Sequence, residues 1–353
     1  MIYLDYAASS IKRKEILQEI LDNMEDFDGN PASTHASGRR AKEILEGARE
    51  KLARSIGADK DEIVFTSGAS ESNNTIIENF KGKKILTSNI GHDSILNPVN
   101  GANTIYLKAD QEGMISIDDL KKNLDGVSLL ALTYVNNELG SIQRVEEIGE
   151  ILAKRKVHFH LDAVQAYGHL DIDVKKIKCD SLSLSGHKIG GLNGFGLLYL
   201  KGQVKPLIKG GDQEKDRRAG TSYTMGAFSM AKAFDKAILE RDHIREIKKY
   251  FLEKLQGRSI EFEVNGSLDK SSDHIVNLYF PKLKSDFLLT YLDMNGILAS
   301  AGSACRAGSL KPSKTIANVY GEERASHSIR FSFGFTNTKE DIDKVVEVLG
   351  KVG

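Results

Sequence analysis

The run Val157-His158-Phe159-His160-Leu161-Asp162-Ala163-Val164-Gln165, followed by Asp180-Ser181-Leu182-Ser183-Leu184-Ser185-Gly186-His187-Lys188, decides how this chain is read. Each half contains a strand-length stretch with apolar residues at alternate or consecutive positions. Each also delivers a reactive group: Asp162 at the end of the first stretch, and Lys188 in a small polar turn just past the second. Open α/β sheets bind ligands at the carboxyl ends of their strands, so two such groups at two strand ends point to a crevice.

The same rhythm extends outward. Strands are expected at 62–66, 84–87, 104–107, 127–135, 157–161, 181–185 and 195–200, with helices at 70–80 and 145–155 among them. An extended segment at 1–11 and helical patterns at 12–26 and 41–56 precede them. Strand alternating with helix argues for an α/β fold with a mostly parallel, seven-stranded sheet covered on both faces. A long helical run at 225–255 then gives way to strand patterns at 260–264, 275–280 and 329–333 and a last helix at 339–349. The expectation is a large α/β domain over 12–242, and a small α+β domain built from 1–11 and 243–353.

Composition narrows the function. The chain has 353 residues, 40% hydrophobic and 28% charged, which suits a soluble globular protein of about two domains. Lys+Arg and Asp+Glu are both 49, so the formal net charge is zero. Nothing in that balance favours direct nucleic-acid binding or an anionic membrane, and self-association is permitted. The longest apolar stretch, 127–135, has the length of a buried strand rather than a membrane span. No basic segment leads into an apolar one at the N-terminus, so no signal peptide is expected. Only Cys179 and Cys305 are present, which fits a reducing cytoplasm rather than a disulfide framework.

An amine able to form a Schiff base, with a carboxylate to hold a pyridinium nitrogen, is what pyridoxal phosphate (PLP) chemistry needs. Lys188 and Asp162 supply that pair. Gln165 is placed to donate a hydrogen bond to the ring's phenolic oxygen, and His92 to stack on the ring or shuttle a proton. Desolvation would lower the basicity of Lys188 and make it a usable base. Upstream, Ser67-Gly68-Ala69-Ser70-Glu71 joins a strand to a helix with small residues, a cradle for an anion at a helix N-terminus. The plainer reading of that loop is a helix cap by Ser67 or Ser70.

Two rival chemistries use the same residues. His158, His160 and Asp162 alternate and so share one face of a strand, which suits a metal-dependent hydrolase, although no further ligand cluster accompanies them. Ser185-x-x-Lys188 suits a serine nucleophile with a lysine base, without that chemistry's companion motifs. The reading adopted has no metal. Near the C-terminus, the small-residue run 299–309 holds Cys305 beside Arg306. Such a run is expected to be mobile, and the cation favours the thiolate, so the cysteine suits sulfur transfer; the alternative is a buried small hydrophobe. Arg330, inside the apolar strand pattern Ile329-Arg330-Phe331, needs a partner: a substrate carboxylate or an internal salt bridge.

Taken together, these segments resemble the cysteine desulfurases, PLP enzymes of the class V aminotransferase group with fold type I. The resemblance runs through Tyr3-Leu4-Asp5-Tyr6-Ala7-Ala8, Gly29-Asn30-Pro31, Thr66 to Asn73, Asn136-Asn137-Glu138, Asp162-Ala163-Val164-Gln165, Ser185-Gly186-His187-Lys188, Arg218-Ala219-Gly220-Thr221, Ser303-Ala304-Cys305 and Ser328-Ile329-Arg330. It implies that Lys188 is the PLP lysine, Asp162, Gln165 and His92 contact the ring, and Ala69, Ser70, Ser185 and His187 contact the phosphate. Thr221 would reach the phosphate of a neighbouring subunit, implying a homodimer. Asn137 and Arg330 would meet the substrate carboxylate and cofactor, and Cys305 would carry a persulfide from L-cysteine to an acceptor protein. Iron–sulfur assembly and tRNA thiolation both remain open as destinations. A PLP aminotransferase or selenocysteine-type lyase without a relay, and a weakly active scaffold, are the alternatives. The family's phosphate-loop threonine is Ser70 here, and its Gly-Gly-Gly-Gln-Glu stretch reads Gly210-Gly211-Asp212-Gln213-Glu214.

Overall fold

Twelve strands organise the described residues. In chain order they are β1 Ile2–Tyr3, β2 Ile63–Thr66, β3 Lys84–Ser88, β4 Thr104–Leu107, β5 Val127–Thr133, β6 His158–Asp162, β7 Ser181–Ser185, β8 Gly196–Leu200, β9 Glu263–Asn265, β10 Ile275–Tyr279, β11 Ile297–Leu298 and β12 Ser328–Ser332. The structure is a computed structural model and describes residues 1–101, 103–258, 260–302 and 312–352.

Strands β2 to β8 form the seven-stranded sheet that the sequence pattern implies, in the order β2-β8-β7-β6-β5-β3-β4. Neighbours from β7 to β4 pair in parallel. Strand β8 is the exception and runs antiparallel to both β7 and β2. Its direction follows from chain length, because residues 186–195 are too few for the crossover that a parallel neighbour requires.

The strands read as apolar runs because both faces are covered. On β5, Leu130 and Leu132 enter the largest hydrophobic cluster, while Leu129 and Ala131 enter a separate one on the opposite face. The period-two alternation of a strand sends neighbours to opposite sides. Each fully buried Leu or Ile contributes roughly 1.5–3 kcal/mol relative to exposure.

The helical run expected over 225–255 is two helices, Thr224–Leu239 and Arg241–Gln256. They break at Glu240, whose carboxylate receives two hydrogen bonds from buried Arg13 at 2.7 and 2.6 Å. Ala227, Met230 and Ala233 of the first helix join the sheet's cluster. Ile244, Ile247 and Phe251 of the second join another, with Leu4, Leu278, Ile329 and Phe331. That cluster lies against the antiparallel sheet β12-β10-β9, while β1 pairs with β11. The strand expected at 260–264 forms later, at Glu263–Asn265. Among the described residues, no helix is long and apolar enough to cross a membrane.

One glycine lets the two loops beside β8 close up. Gly196 begins β8 between the loop after β2 and the turn after β7, and a Cβ there would lie 2.4 Å from the Leu184 carbonyl oxygen and 2.7 Å from Gly68 Cα. Both obstacles are backbone, so neither can swing away. Gly196→Ala is expected to cost about 1–3 kcal/mol, read as a lower denaturant midpoint at an unchanged m-value.

Candidate active site

Strands β6 and β7 pair in register, Asp162 opposite Ser183, so they end side by side. The chain then turns through the short helical segment Gly186–Lys188. Asp162 and Lys188 thereby face one cavity of about 450 Å³, which Ala69, Ser70, His92, Asn137, Gln165, Ser185, His187 and Arg330 also line. Lys188 Nζ donates to the carbonyl oxygens of Ala7 and Ala8 at 2.6 and 2.7 Å. Thr221 is exposed and lies outside this lining. Cys305 lies outside the described residues.

Asp162 is buried and held at both oxygens. Oδ2 accepts from Asn73 Nδ2 at 2.9 Å, and Oδ1 from the Val164 N–H at 3.1 Å. Asn73 also donates to Ser94 Oγ, which leaves its Oδ1 to accept from His160 Nε2 at 2.9 Å. An amide oxygen can only accept, so His160 carries its proton on Nε2 and its Nδ1 accepts from the Ser181 hydroxyl. Burial, with His158 nearby, pushes the His160 pKa down to about 3. His158 also contacts Ser181, through Nε2 at 2.8 Å. The face that a metal reading would use is therefore hydrogen-bonded to Ser and Asn, and no group of three His, Cys, Asp or Glu side chains suited to a metal occurs among the described residues.

The start of the helix Ala69–Asn79 also lines the cavity. Its cap is Gly68, at φ +148°, with no side-chain cap bond, so neither Ser67 nor Ser70 caps it. The Ala69 N–H donates to Ser185 Oγ at 2.9 Å. Ser185 accepts there and keeps its own proton for another acceptor. His187 is held neutral, its pKa pushed down to about 4 by burial and then by Lys188 and Lys12. His92 caps the helix Asp93–Val99 with its Nδ1, which also meets Ser94 Oγ at 2.8 Å.

Arg330 is almost fully buried on β12. It donates to Asp5 at 2.7 Å and to the Asn137 carbonyl oxygen at 2.8 Å. The internal ion pair is thus formed, and the Arg330 Nε has no hydrogen-bond partner among the described residues. His92 and Asn137 also line a second cavity of about 240 Å³ with Glu138, Gly302 and Ser313. Glu138 accepts hydrogen bonds from the hydroxyls of Ser313 and Thr315, and burial raises its pKa.

Sequence reading did not single out Asn73, Ser94, Asp5 or the Ala7 and Ala8 carbonyls as parts of the site. Asn73 and Asp5 lie inside quoted motifs, but their partners are 89 and 325 residues away. A backbone carbonyl has no sequence signal at all.

With this geometry in place, comparisons with known proteins are informative. The family model Aminotransferase class-V matches residues 2–345. The chain is similar to cysteine desulfurase IscS of Dictyoglomus turgidum, 38% identical over 99% of this chain and 94% of that protein. Among solved structures it is similar to a NifS-like protein from Rickettsia africae, with a TM-score of 0.90 and 30% identity over 100% of this chain and 99% of that one. It is also similar to SspA in complex with cysteine, with a TM-score of 0.83 and 32% identity over 94% and 99% of the two chains.

The buried imidazole gives a pH prediction. His160 titrates near 6.5 when unfolded and near 3 when folded. Between those values the unfolded chain binds the extra proton, so stability falls as pH falls and the loss levels off below about 3. The slope is about 1.4 kcal/mol per pH unit at most for one such group. His160→Gln should flatten the fall between pH 6.5 and 4, measured by denaturant titration at each pH; an identical slope would refute the assignment.

Proposed function

The chain belongs to the class-V aminotransferase family, among its cysteine desulfurases, and we propose that it uses PLP at this cavity to take sulfur from L-cysteine, leaving L-alanine. The single observation that carries this is the meeting of Asp162, Lys188 and a helix N-terminus around one cavity. A carboxylate, an amine, and small-residue backbone with Ser70, Ser185 and His187 around one cavity suit the cofactor's ring nitrogen, aldehyde and phosphate in turn. When bound, PLP supplies an aldehyde that links to amines and a protonated ring that withdraws electrons from a substrate's Cα.

The chain's residues divide the remaining work. Asp162, fixed by Asn73, would keep a ring nitrogen protonated, and Gln165 would donate to the phenolic oxygen. His92 would cover the ring. Ala69, Ser70, Ser185 and His187 would hold the phosphate, and Thr221 would serve the neighbouring subunit's phosphate in a homodimer. Arg330 and Asn137 would orient the cysteine carboxylate, with Arg330 keeping N–H donors beyond the two given to Asp5 and the Asn137 carbonyl oxygen. Lys188 moves the Cα proton. The Cys305 thiolate would then attack the substrate sulfur: a sulfur–sulfur bond forms, the carbon–sulfur bond breaks with its electron pair kept by the substrate carbon, which takes up a proton on the way to L-alanine, and Cys305 holds the persulfide for an acceptor protein.

A large domain over 12–242 and a small one from 1–11 and 243–353 belong to the same proposal, supported by two separate clusters, one drawn from residues between Ile16 and Ala237, the other from Ile2, Leu4 and residues between Ile244 and Leu349. So do a cytoplasmic location and delivery of the sulfur to iron–sulfur assembly or tRNA thiolation.

Three substitutions test the roles. Lys188→Ala should abolish both the borohydride-reducible link to PLP and sulfide release from cysteine; a retained reducible adduct would remove Lys188 from its role. Cys305→Ala should keep the cofactor's absorption and lose sulfur transfer to an acceptor, whereas unchanged transfer would favour a lyase without a relay. Asp162→Asn should retain PLP and lower turnover by roughly 10²-fold, the scale of removing one preorganised electrostatic contact.

A further inference from the structure

We propose that His274 is a positioning residue for this site, acting through Gln165 on the hydrogen bond offered to the cofactor's phenolic oxygen. The inference rests on the reading of the cavity as a PLP site. It begins at the Ala7 carbonyl oxygen, which can only accept. That oxygen takes Gln165 Nε2 at 2.8 Å and Lys188 Nζ at 2.6 Å. The Gln165 amide is thereby oriented, with Nε2 toward Ala7 and Oε1 toward His274 Nε2 at 3.0 Å. An amide oxygen only accepts, so His274 Nε2 carries the proton. Its Nδ1 is then the acceptor in the 2.5 Å contact with the Ser272 hydroxyl.

Each donor and acceptor is thus forced by the one before it, from Ala7 to Ser272. One Gln165 N–H is spent on Ala7, and the other remains on a residue that lines the cavity. Reversing the amide would set its oxygen against the Ala7 oxygen and would require His274 to move its proton from Nε2 to Nδ1. His274 supplies one of the two contacts that prevent this reversal.

The imidazole is suited to a fixed role. It is buried and stacked on His169, with ring centroids 3.6 Å apart. The charged or titratable groups around it are His169, Lys248 from the helix Arg241–Gln256, Arg330 from β12, and Lys188 from the turn after β7. Burial acts first and these cations second, and both oppose protonation. His274 therefore stays a neutral donor at Nε2 while the groups around it do chemistry.

The experiment uses purified holoenzyme and reads its absorption spectrum. His274→Phe keeps a ring to stack on His169 and removes both nitrogens. PLP content should be unchanged, while the ratio of ionised to un-ionised cofactor ring at a fixed pH falls about tenfold, the scale of one hydrogen bond to a charged oxygen. Gln165→Leu should give the same fall, and the double variant no more than either alone. His274→Gln restores a donor and should recover the wild-type ratio. Should the Phe variant fail to fold, His274→Leu, apolar and of similar volume, keeps the test in force. A wild-type ratio in a PLP-loaded Phe or Leu variant overturns the proposal, as does additivity in the double variant. A wild-type protein that takes up no PLP would instead overturn the reading of the cavity, and this role with it.

Discussion

The parallel pairing of β6 with β7 is the constraint on which the site depends. Neighbouring strands lie about 4.8 Å apart, and their shared register leaves Asp162 and the Lys188 turn at one edge of the sheet. Strand β8 reinforces this by running the other way. It enters at Gly196 between the turn after β7 and the loop after β2, and brings an anion-suited helix start within reach of the lysine. A parallel β8 would need a crossover, and its start would lie at the far edge.

The groups around Asp162 are chosen so that they do not compete with it. Asn73 gives one proton to Asp162 and one to Ser94 while accepting from His160. The imidazole beneath is neutral, because ionising it in a buried site is costly. The carboxylate is therefore fixed in place by neutral donors.

The N-terminal segment joins the two ends of the molecule. Ile2 and Leu4 are packed in the cluster around β10 and β12. A few residues later, Asp5 pairs with Arg330, and the Ala7 and Ala8 carbonyls receive Lys188. The same Ala7 oxygen orients Gln165. The short strand β1, a bridge from Asp5 to Ser332 of β12 and the turn at residues 6–8 thus tie the cavity wall from β12 to the lysine turn.

Local pattern determined a good deal. Alternation and apolar runs placed all seven strands of the main sheet, because most of them bury both faces and even the edge strand β4 keeps an apolar pattern. The chemistry-bearing residue types at strand ends, Asp162 and Lys188, were legible for the same reason: side-chain character and position in the strand are both local properties. What the sequence could not determine was the partner of each group. Glu240, where the helix breaks, pairs with Arg13, which is remote in the chain, and the run 225–255 reads locally as one helix. Whether Arg330 holds an internal carboxylate, which residues fix Asp162, and which proton sits on which histidine nitrogen were decided only when distant segments met. Hydrogen bonds act over about 3 Å in space and carry no trace in linear order, and that is why these choices belong to the tertiary structure.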